Sequence, residues 1–388
     1  MNFGFSDKEL AFRDEINNFL HEESDLMAEV RKETESLAGF GPYTWKFLRE
    51  VGQKGWLTPS WPRKYGGLDG THMMKYIASE KFSHAGAPYT LVGQSTAGPT
   101  ILMFGNEKQK QTFMPPIARG EVEFALGYTE PEAGSDVAAL ELRAVRQGDH
   151  YILNGQKVFN SACHYAQYHW LAVRTDTEVP KHRGISLFIV DMDSPGITVR
   201  PLIGMSGLRT NEAYYDDVVV PAERLVGEEN RAWRYIVTAL SYERTWLVGI
   251  TIYRFERLLS YLKETCHKGE RLYDNPITRS QIAQIATEIE AVRLFGARNA
   301  CILEKGEVPR YEAAMAKLFG SEVEVRLGQL WMKILGHLGH LEEGSDLVPL
   351  NGDIERWYLD VVRQPVVRGS NEIMKNIIAQ QYLQLPQE

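Results

Sequence analysis

The chain has 388 residues, of which 44% are hydrophobic and 24% are charged, and its formal net charge is −8. This length exceeds one ordinary hydrophobic core, so two or three domains are expected, and the composition is typical of a soluble globular protein. The acidic balance argues against nucleic-acid binding, which requires a basic surface, and no apolar run reaches the roughly 20 residues of a membrane-spanning helix.

Helical periodicity dominates the first third of the chain. Ser6 marks a helix start, and apolar residues then recur at helical spacing through Leu20. A proline and a glycine pair at 61–67 predict a loop. Further helices are predicted at about 41–54, 71–84 and 100–104, with another short helix after residue 110. We therefore predict an N-terminal helical domain over residues 1–121.

Between residues 122 and 228 the pattern changes to short runs with strand character. Strands are predicted at 123–128, 140–146, 151–153, 170–174, 185–190, 199–202 and 213–220. Residues 147–150 predict a turn, and Asn154-Gly155 predicts a two-residue hairpin. Strands at this spacing indicate a compact antiparallel barrel or sandwich.

Helices return over residues 229–388, with long ones at about 279–304 and 311–335 and a last one ending near residue 382. One apolar face near the start of this region carries an unexpected carboxylate, Glu243, among Trp233, Ile236, Leu240 and Leu247. An ionised buried group is costly unless it is paired. Glu243 is therefore either satisfied by a neighbouring arginine or helix end, or a base whose pKa is raised by its apolar surroundings.

The three cysteines and two neighbouring histidines give no sign of a metal or disulfide site. Cys163, Cys266 and Cys301 have neither paired spacing nor metal-ligand spacing, and a sparse odd count favours a reducing cytoplasm. His337 and His340 have no acidic or cysteine partner at ligand spacing, so no metal is predicted.

A loop at residues 127–136 contains Pro131 and a Gly134-Ser135-Asp136 run, which exclude a helix. Such a loop leaves backbone N–H groups and hydroxyls free for an anionic or polar ligand, although a plain turn between strands has the same composition. The loop alone is ambiguous.

Several motifs in collinear order, from about residue 5 to 383, resemble the acyl-CoA dehydrogenase family. The loop Tyr128-Thr129-Glu130-Pro131-x-Ala133-Gly134-Ser135-Asp136 is similar to the family's flavin-binding loop, and Asn154-Gly155-x-Lys157-x-Phe159-Asn160-Ser161 is similar to its second flavin segment. Terminal signatures also match: Trp61-Pro62-x-x-Tyr65-Gly66-Gly67, Phe104-Gly105-x-x-x-Gln109-Lys110, Ile334-Leu335-Gly336-x-x-Gly339 and Gly369-Ser370-Asn371-Glu372-Ile373.

The resemblance implies an α+β multidomain fold: an N-terminal helical domain, a middle antiparallel β-barrel or sandwich, and a C-terminal four-helix bundle. It also implies FAD, an acyl-CoA substrate of the fatty-acid β-oxidation type, and an oligomer, either a homodimer or homotetramer or a heterotetramer with a paralogous chain. The implied reaction is α,β-dehydrogenation, in which a carboxylate takes the α-proton, a hydride goes to flavin N5 and electrons pass to an electron-transferring flavoprotein.

Site residues follow from the resemblance by position. Tyr128 and Thr129 are expected at the pyrimidine side of the flavin, and Ser135 near the flavin or CoA phosphates. Phe159 is expected to stack near the ring, with Ser161 close to N5. The remaining cofactor-binding residues implied are Gly134, Gly336, Ser370 and Glu372, the last two bordering the flavin from the final helix.

Two departures from the family pattern bear on catalysis. Arg368 stands where many members carry the base, and guanidinium cannot act as one. A subset of the family carries the base in an earlier Glu-Arg pair, which here is Glu243-Arg244, so we predict Glu243 as the base. Arg244 and Arg368 are predicted to contact substrate. The readings open for Arg368 are a backbone N–H that donates to the thioester oxygen, a charge that pairs with Glu243 and lowers its pKa, a group that recognises a polar part of the substrate, and a cation facing solvent or a subunit interface.

The second departure concerns the arginine that holds the FAD pyrophosphate in the family. Glu270 occupies its position, so Arg271 or Arg279 is expected to replace it. Alternatively, the chain is a half-site or non-catalytic subunit that completes a paired dehydrogenase chain. A flavin oxidase that passes electrons to oxygen is a third reading, and the acyl group is not readable from the sequence.

Overall fold

The computed structural model describes residues 4–35, 39–244, 248–267 and 269–386. Its first part is helical, as predicted, and the predicted start after Ser6 is confirmed, because Ser6 and Glu9 form a reciprocal capping box. Asn106 and Gln109 form a second one. The helices are α1 (Asp7–Glu22), α2 (Ser24–Glu35), α3 (Pro42–Gln53), α4 (His72–His84), α5 (Gly98–Phe104) and α6 (Glu107–Ala118).

The middle of the chain forms one seven-stranded sheet. Its strands lie in the order β1-β4-β2-β3-β7-β6, with β5 paired to β4. Most pairings are antiparallel, but β1 joins β4 in parallel over its whole length, and β2 joins β4 in parallel at one residue pair, Arg143 and Arg174. The strands are β1 (Phe124–Gly127), β2 (Arg143–Gln147), β3 (His150–Lys157), β4 (Tyr168–Arg174), β5 (Ile185–Asp191), β6 (Ile197–Ile203) and β7 (Arg209–Pro221).

The hairpin predicted at Asn154-Gly155 is wrong. Both residues lie inside β3, and the two-residue turn is Gly148-Asp149, between β2 and β3, where a turn was also predicted. Gly155 has φ +138° and sits at a register shift against β7, so the glycine serves a bulge. A Cβ on Gly155 would meet the Leu142 backbone at 3.0 Å.

The last part of the chain is again helical. Helix α9 begins at Pro276, behind the Asn275 cap and three residues before the predicted start. The predicted last helix is two helices, α11 and α12, and both pack on α10. Leu247, placed on the apolar face with Glu243, lies outside the described residues. The helices are α7 (Ala232–Glu243), α8 (Gly249–Glu264), α9 (Pro276–Glu304), α10 (Tyr311–Leu335), α11 (Asp353–Val361) and α12 (Asn371–Gln381).

A small hairpin, β8 (Cys266–His267) and β9 (Glu270–Arg271), separates α8 from α9. The two helical regions touch each other directly: α4 packs on α8 and α9, and Arg293 of α9 holds the Glu80 carboxylate of α4 in a two-armed ion pair at 3.0 Å on each arm. The predicted helical, β and helical architecture is confirmed, whereas the boundaries at 121/122 and 228/229 stay predictions.

The described ranges contain no helix long and apolar enough to cross a membrane. Within the same ranges, no group of three or more His, Cys, Asp or Glu side chains is arranged to hold a metal ion. The three cysteines are free thiols, with Cys163 buried in the turn between β3 and β4 and Cys266 exposed.

Candidate active site

Glu243 is the last residue of α7, and its side chain is only 14% exposed. One carboxylate oxygen, Oε1, lies 3.5 Å from Nε of Arg368. The other, Oε2, is buried and has no hydrogen-bond partner within the described residues. Burial raises the pKa of Glu243, against the opposing effect of Arg368 and Arg244. Both sequence readings therefore apply, since the carboxylate is partly paired and yet retains one free oxygen.

Arg368 and Gly369 form a tight turn before α12, with φ values of +59° and +89°. The turn is held through its backbone, because Nε of Arg244 donates to the Arg368 carbonyl at 2.9 Å. Gly369 must be glycine for two reasons: its positive φ, and an added Cβ that would lie 2.7 Å from Nη2 of Arg244. Arg244 is 6% exposed, and burial lowers its pKa to about 10. Arg244 thus positions Arg368 beside Glu243.

The start of α12 lies beside this turn. Ser370 caps the helix, its hydroxyl accepting from the Ile373 N–H at 3.3 Å. Buried Lys317 of α10 donates to the Pro365 carbonyl and the Asn371 side chain, at 3.0 and 2.8 Å. Glu372 is exposed, and Gly336, at the end of α10, has open space where a Cβ would stand. Ser370 and Glu372 therefore lie on the same helix start, one and three residues beyond Gly369.

The loop at residues 127–136, which resembles a flavin-binding loop, is anchored by a buried ion pair. Glu130 accepts from Lys157 Nζ at 2.7 Å and from two backbone N–H groups, those of Glu141 and Leu142, at 2.5 and 2.9 Å. Lys157 is fully buried, and burial lowers its pKa to about 8 although Glu130 opposes the shift. Glu130 and Lys157 thus bind each other and the backbone, and we interpret their role in the two motifs as structural.

Tyr128 and Thr129 connect this anchor to the second motif. The Tyr128 phenol is buried, accepting from the Trp170 indole at 3.0 Å, and burial together with the nearby charge of Glu243 raises its pKa. The Thr129 carbonyl accepts from the Val158 N–H at 3.0 Å. The two motifs are therefore adjacent, and Tyr128 lies within electrostatic reach of Glu243.

Beyond the anchor, the loop is open. Gly134 and Ser135 are exposed, and a Cβ on Gly134 would meet no atom within 4 Å. The absence of a neighbour means that protein packing does not require a glycine there. Asp136, in the same exposed loop, forms an ion pair with Lys181 at 2.6 Å. The loop therefore offers a free glycine surface suited to close approach by a ligand.

Phe159 is held out of the core, 62% exposed and with φ +62°. Two asparagines fix this strained turn: Asn160 donates to the Leu126 carbonyl at 2.7 Å, and Asn211 of β7 donates to the Asn160 carbonyl at 2.7 Å. Ser161 is exposed next to it. An exposed aromatic ring on one motif and an exposed Gly-Ser loop on the adjacent motif fit a planar cofactor with phosphates, such as FAD.

Arg271, predicted to hold the cofactor pyrophosphate, is exposed and already engaged. It forms a bidentate pair with Asp274, at 2.8 and 3.1 Å, which raises the pKa of the guanidinium. Arg279 is also exposed and lies over the Tyr273 ring. The structure does not join Arg271 to the Glu243 group by any hydrogen bond or ion pair among the residues it describes.

A cavity of about 320 Å³ begins beside Arg368 and extends between the segment 83–90 and helices α8, α10 and α11. Sequence reasoning missed it, along with Glu324, whose pKa is raised by burial while Arg368 opposes the shift. Thr251 donates to Glu324 at 3.1 Å. No local motif marks this carboxylate; only its place on a buried stretch of α10 hinted at it.

Three domain models of the acyl-CoA dehydrogenase family match the chain: the N-terminal domain over residues 6–121, the middle domain over 125–218 and the C-terminal domain over 230–383. Among curated proteins, the chain is 37% identical to acyl-CoA dehydrogenase FadE29 of Mycobacterium tuberculosis, over 94% of this chain and 97% of the relative.

Two solved structures are similar over their whole length. The Tcur3481-Tcur3483 steroid ACAD has a TM-score of 0.90 at 31% identity, covering 100% of both chains. A chain of the ChsE4-ChsE5 complex from Mycobacterium tuberculosis has a TM-score of 0.88 at 33% identity, again covering 100% of both. Similarity of this extent agrees with the motif-by-motif resemblance.

Proposed function

This chain belongs to the acyl-CoA dehydrogenase family of FAD-dependent oxidoreductases, and we propose that it dehydrogenates an acyl-CoA thioester between Cα and Cβ with Glu243 as the base. The observation that carries the proposal is the buried Oε2 of Glu243, which has no hydrogen-bond partner among the residues that the structure describes. A carboxylate with a free oxygen and a raised pKa is suited to removing a weakly acidic proton next to a thioester.

In this proposal Glu243 Oε2 accepts the α-proton and becomes a neutral carboxylic acid. The charge that builds up on the thioester oxygen is stabilised by the Arg368 backbone N–H, which has no hydrogen-bond partner within the described residues. Arg244 positions that N–H through the Arg368 carbonyl. FAD, when bound, supplies the acceptor for the hydride that leaves Cβ, and we propose an electron-transferring flavoprotein as the next acceptor.

We assign the cofactor to the two adjacent motifs and the α12 start. Phe159 offers its exposed ring, Gly134 and Ser135 an open loop, and Ser161 an exposed hydroxyl. The remaining residues of the proposed cofactor site are Tyr128, Thr129, Gly336, Ser370 and Glu372. Gly336 and Glu372 are exposed and Thr129 and Ser370 are partly exposed, which supports this assignment. The Tyr128 side chain is buried, so Tyr128 is proposed to contact the cofactor through its backbone.

The test is anaerobic flavin absorbance with short, long, branched and ring-bearing acyl-CoAs. Wild type is expected to bleach with one class, and Glu243→Gln to keep its flavin and stay oxidised. Glu123→Gln is the matched control, because Glu123 is another buried carboxylate with its pKa raised to about 8. Its Oε1 accepts the Val92 and Gly93 N–H groups, and its Oε2, like that of Glu243, has no hydrogen-bond partner among the described residues. Normal bleaching by Glu243→Gln would remove Glu243 from the role.

A second function is favoured by the Arg271–Asp274 pair. An arginine held by its own carboxylate is a poor phosphate ligand, so the chain would be a half-site subunit whose partner completes the FAD site. Two similar structures are named for two components each, Tcur3481 with Tcur3483 and ChsE4 with ChsE5, which supports a heterotetramer over a homo-oligomer. Yellow protein that stays oxidised with every thioester, and is reduced once a paralogous chain is coexpressed, would establish this reading.

A further inference from the structure

The cavity beside Arg368 is the feature that the proposed reaction leaves unused. Arg368 forms part of its wall and also lies 3.5 Å from Glu243. The cavity therefore lies on the far side of the Arg368 side chain from Glu243. An acyl group whose α-carbon lies at Glu243 can reach the cavity by extending past Arg368. Its volume of about 320 Å³ lies at the lower end of the range for pockets that bury a small-molecule ligand.

The walls of this cavity are charged. Helices α8, α10 and α11 contribute Arg254, Glu324, Asp353 and Arg356 to it, beside the apolar surfaces of Tyr253 and Trp357. A saturated acyl chain lying against these groups would remove water from them and offer no hydrogen bond in return, which is unfavourable. The cavity chemistry therefore disfavours a plain fatty-acyl tail.

Arg254 is the best-defined recognition group in the cavity. Its side chain is 12% exposed and its Nη1 donates to Asp353, which also accepts from Arg257. The Nε–H of Arg254, however, is buried with no partner among the described residues. A buried donor without an acceptor is costly, and a ligand oxygen that reached it would remove that cost.

We propose that this cavity receives the far end of the acyl group, and that Arg254 selects acyl groups carrying a carbonyl or carboxylate oxygen there. This inference rests on the proposed function, since it places the thioester end at Glu243. A hydrogen bond from a guanidinium to a ligand oxygen predicts a preference of about tenfold or more over the matched saturated acyl group.

The experiment measures dissociation constants by titration calorimetry on the flavin-loaded full chain. The probes are hexanoyl-, octanoyl- and decanoyl-CoA, each compared with its (ω−1)-ketone and its ω-carboxylate. Arg254→Lys keeps the positive charge facing Asp353 and removes the Nε–H donor. Arg257→Lys is the matched control, because it makes the same change on the same carboxylate, and Arg257 is not part of the cavity wall.

The expected result is a preference of about tenfold or more for one oxygenated series at the length that reaches Arg254, lost in Arg254→Lys and kept in Arg257→Lys. The ketone and carboxylate arms then identify the acceptor. Equal or weaker binding of both oxygenated series at every length overturns the inference, as does a preference that survives in Arg254→Lys. Flavin bleaching in the same samples reports separately on the proposed reaction, so thioesters that bind selectively without bleaching contradict only that reaction.

Discussion

Replacing Arg368 by glutamine is predicted to move the acid limb of the pH–rate profile for flavin reduction to higher pH. In the proposed reaction Glu243 removes a proton only when it is ionised, so the rate of flavin reduction is expected to rise with pH through the pKa of Glu243. Burial raises that pKa and the adjacent Arg368 charge opposes the rise. Loss of the positive charge removes the opposing effect, so the pKa of Glu243 increases further.

The expected size follows from the geometry of the pair. The charged groups lie 3.5 Å apart, and the Arg368 side chain is 34% exposed, so water screens the interaction in part. With an effective dielectric constant of about 40, between bulk water and a buried site, Coulomb's law gives about 2 kcal/mol, or 1–2 pH units. At high pH the variant is expected to react at least as fast as wild type, because a carboxylate with a higher pKa is a stronger base.

The assay is single-turnover stopped-flow absorbance at saturating acyl-CoA, which separates the rate of reduction from any loss of binding. Arg119→Gln serves as the control, since Arg119 forms a close two-armed pair with Glu121 away from the site. An acid limb that stays in place, or one that moves to lower pH, would show that Arg368 does not tune Glu243 and would refute the electrostatic argument.

Two further predictions concern the cofactor loop. Lys157→Met is expected to lower the free energy of unfolding by about 3–5 kcal/mol, measured by thermal unfolding, because it leaves the Glu130 charge buried and unpaired. Adding Glu130→Gln is expected to restore most of this loss. An unchanged melting temperature in the single variant would contradict the structural role of the pair. Gly134→Val is expected to weaken FAD binding at least tenfold in a flavin titration. The melting temperature of the apoprotein is expected to stay constant, because no protein atom lies within 4 Å of the added Cβ. Gly204→Val, at another turn with room for a side chain, is the control, and equal FAD affinity in both variants would exclude Gly134 from the site.

Sequence reasoning named a candidate base where a local pattern marked one. A carboxylate on an apolar helical face singled out Glu243, and the order of the motifs predicted, as one reading, that Arg368 pairs with it. The helical, β and helical architecture followed from changes in hydrophobic period. Each of these predictions depends on a short stretch of neighbouring residues.

The missed features depend on contacts between distant parts of the chain. Arg244 and Arg368 are 124 positions apart, and only the folded chain shows that a side chain of one holds the backbone of the other. Asn154-Gly155 has the composition of a hairpin, yet β7 pairs along that stretch and converts the glycine into a bulge. The charged cavity likewise forms only when α8, α10 and α11 meet. The local sequence pattern does not show contacts between residues that are distant in the sequence.

The bond from Arg244 to the Arg368 carbonyl has a consequence for how relatives of this chain can diverge. Position 368 is anchored by its main chain, so its side chain can be exchanged while the base and the turn stay in register. Its φ of +59° excludes β-branched residues but tolerates glycine, asparagine or another unbranched side chain. A substitution at position 368 can thus change the side chain that faces the cavity and leave the proposed base, Glu243, in place.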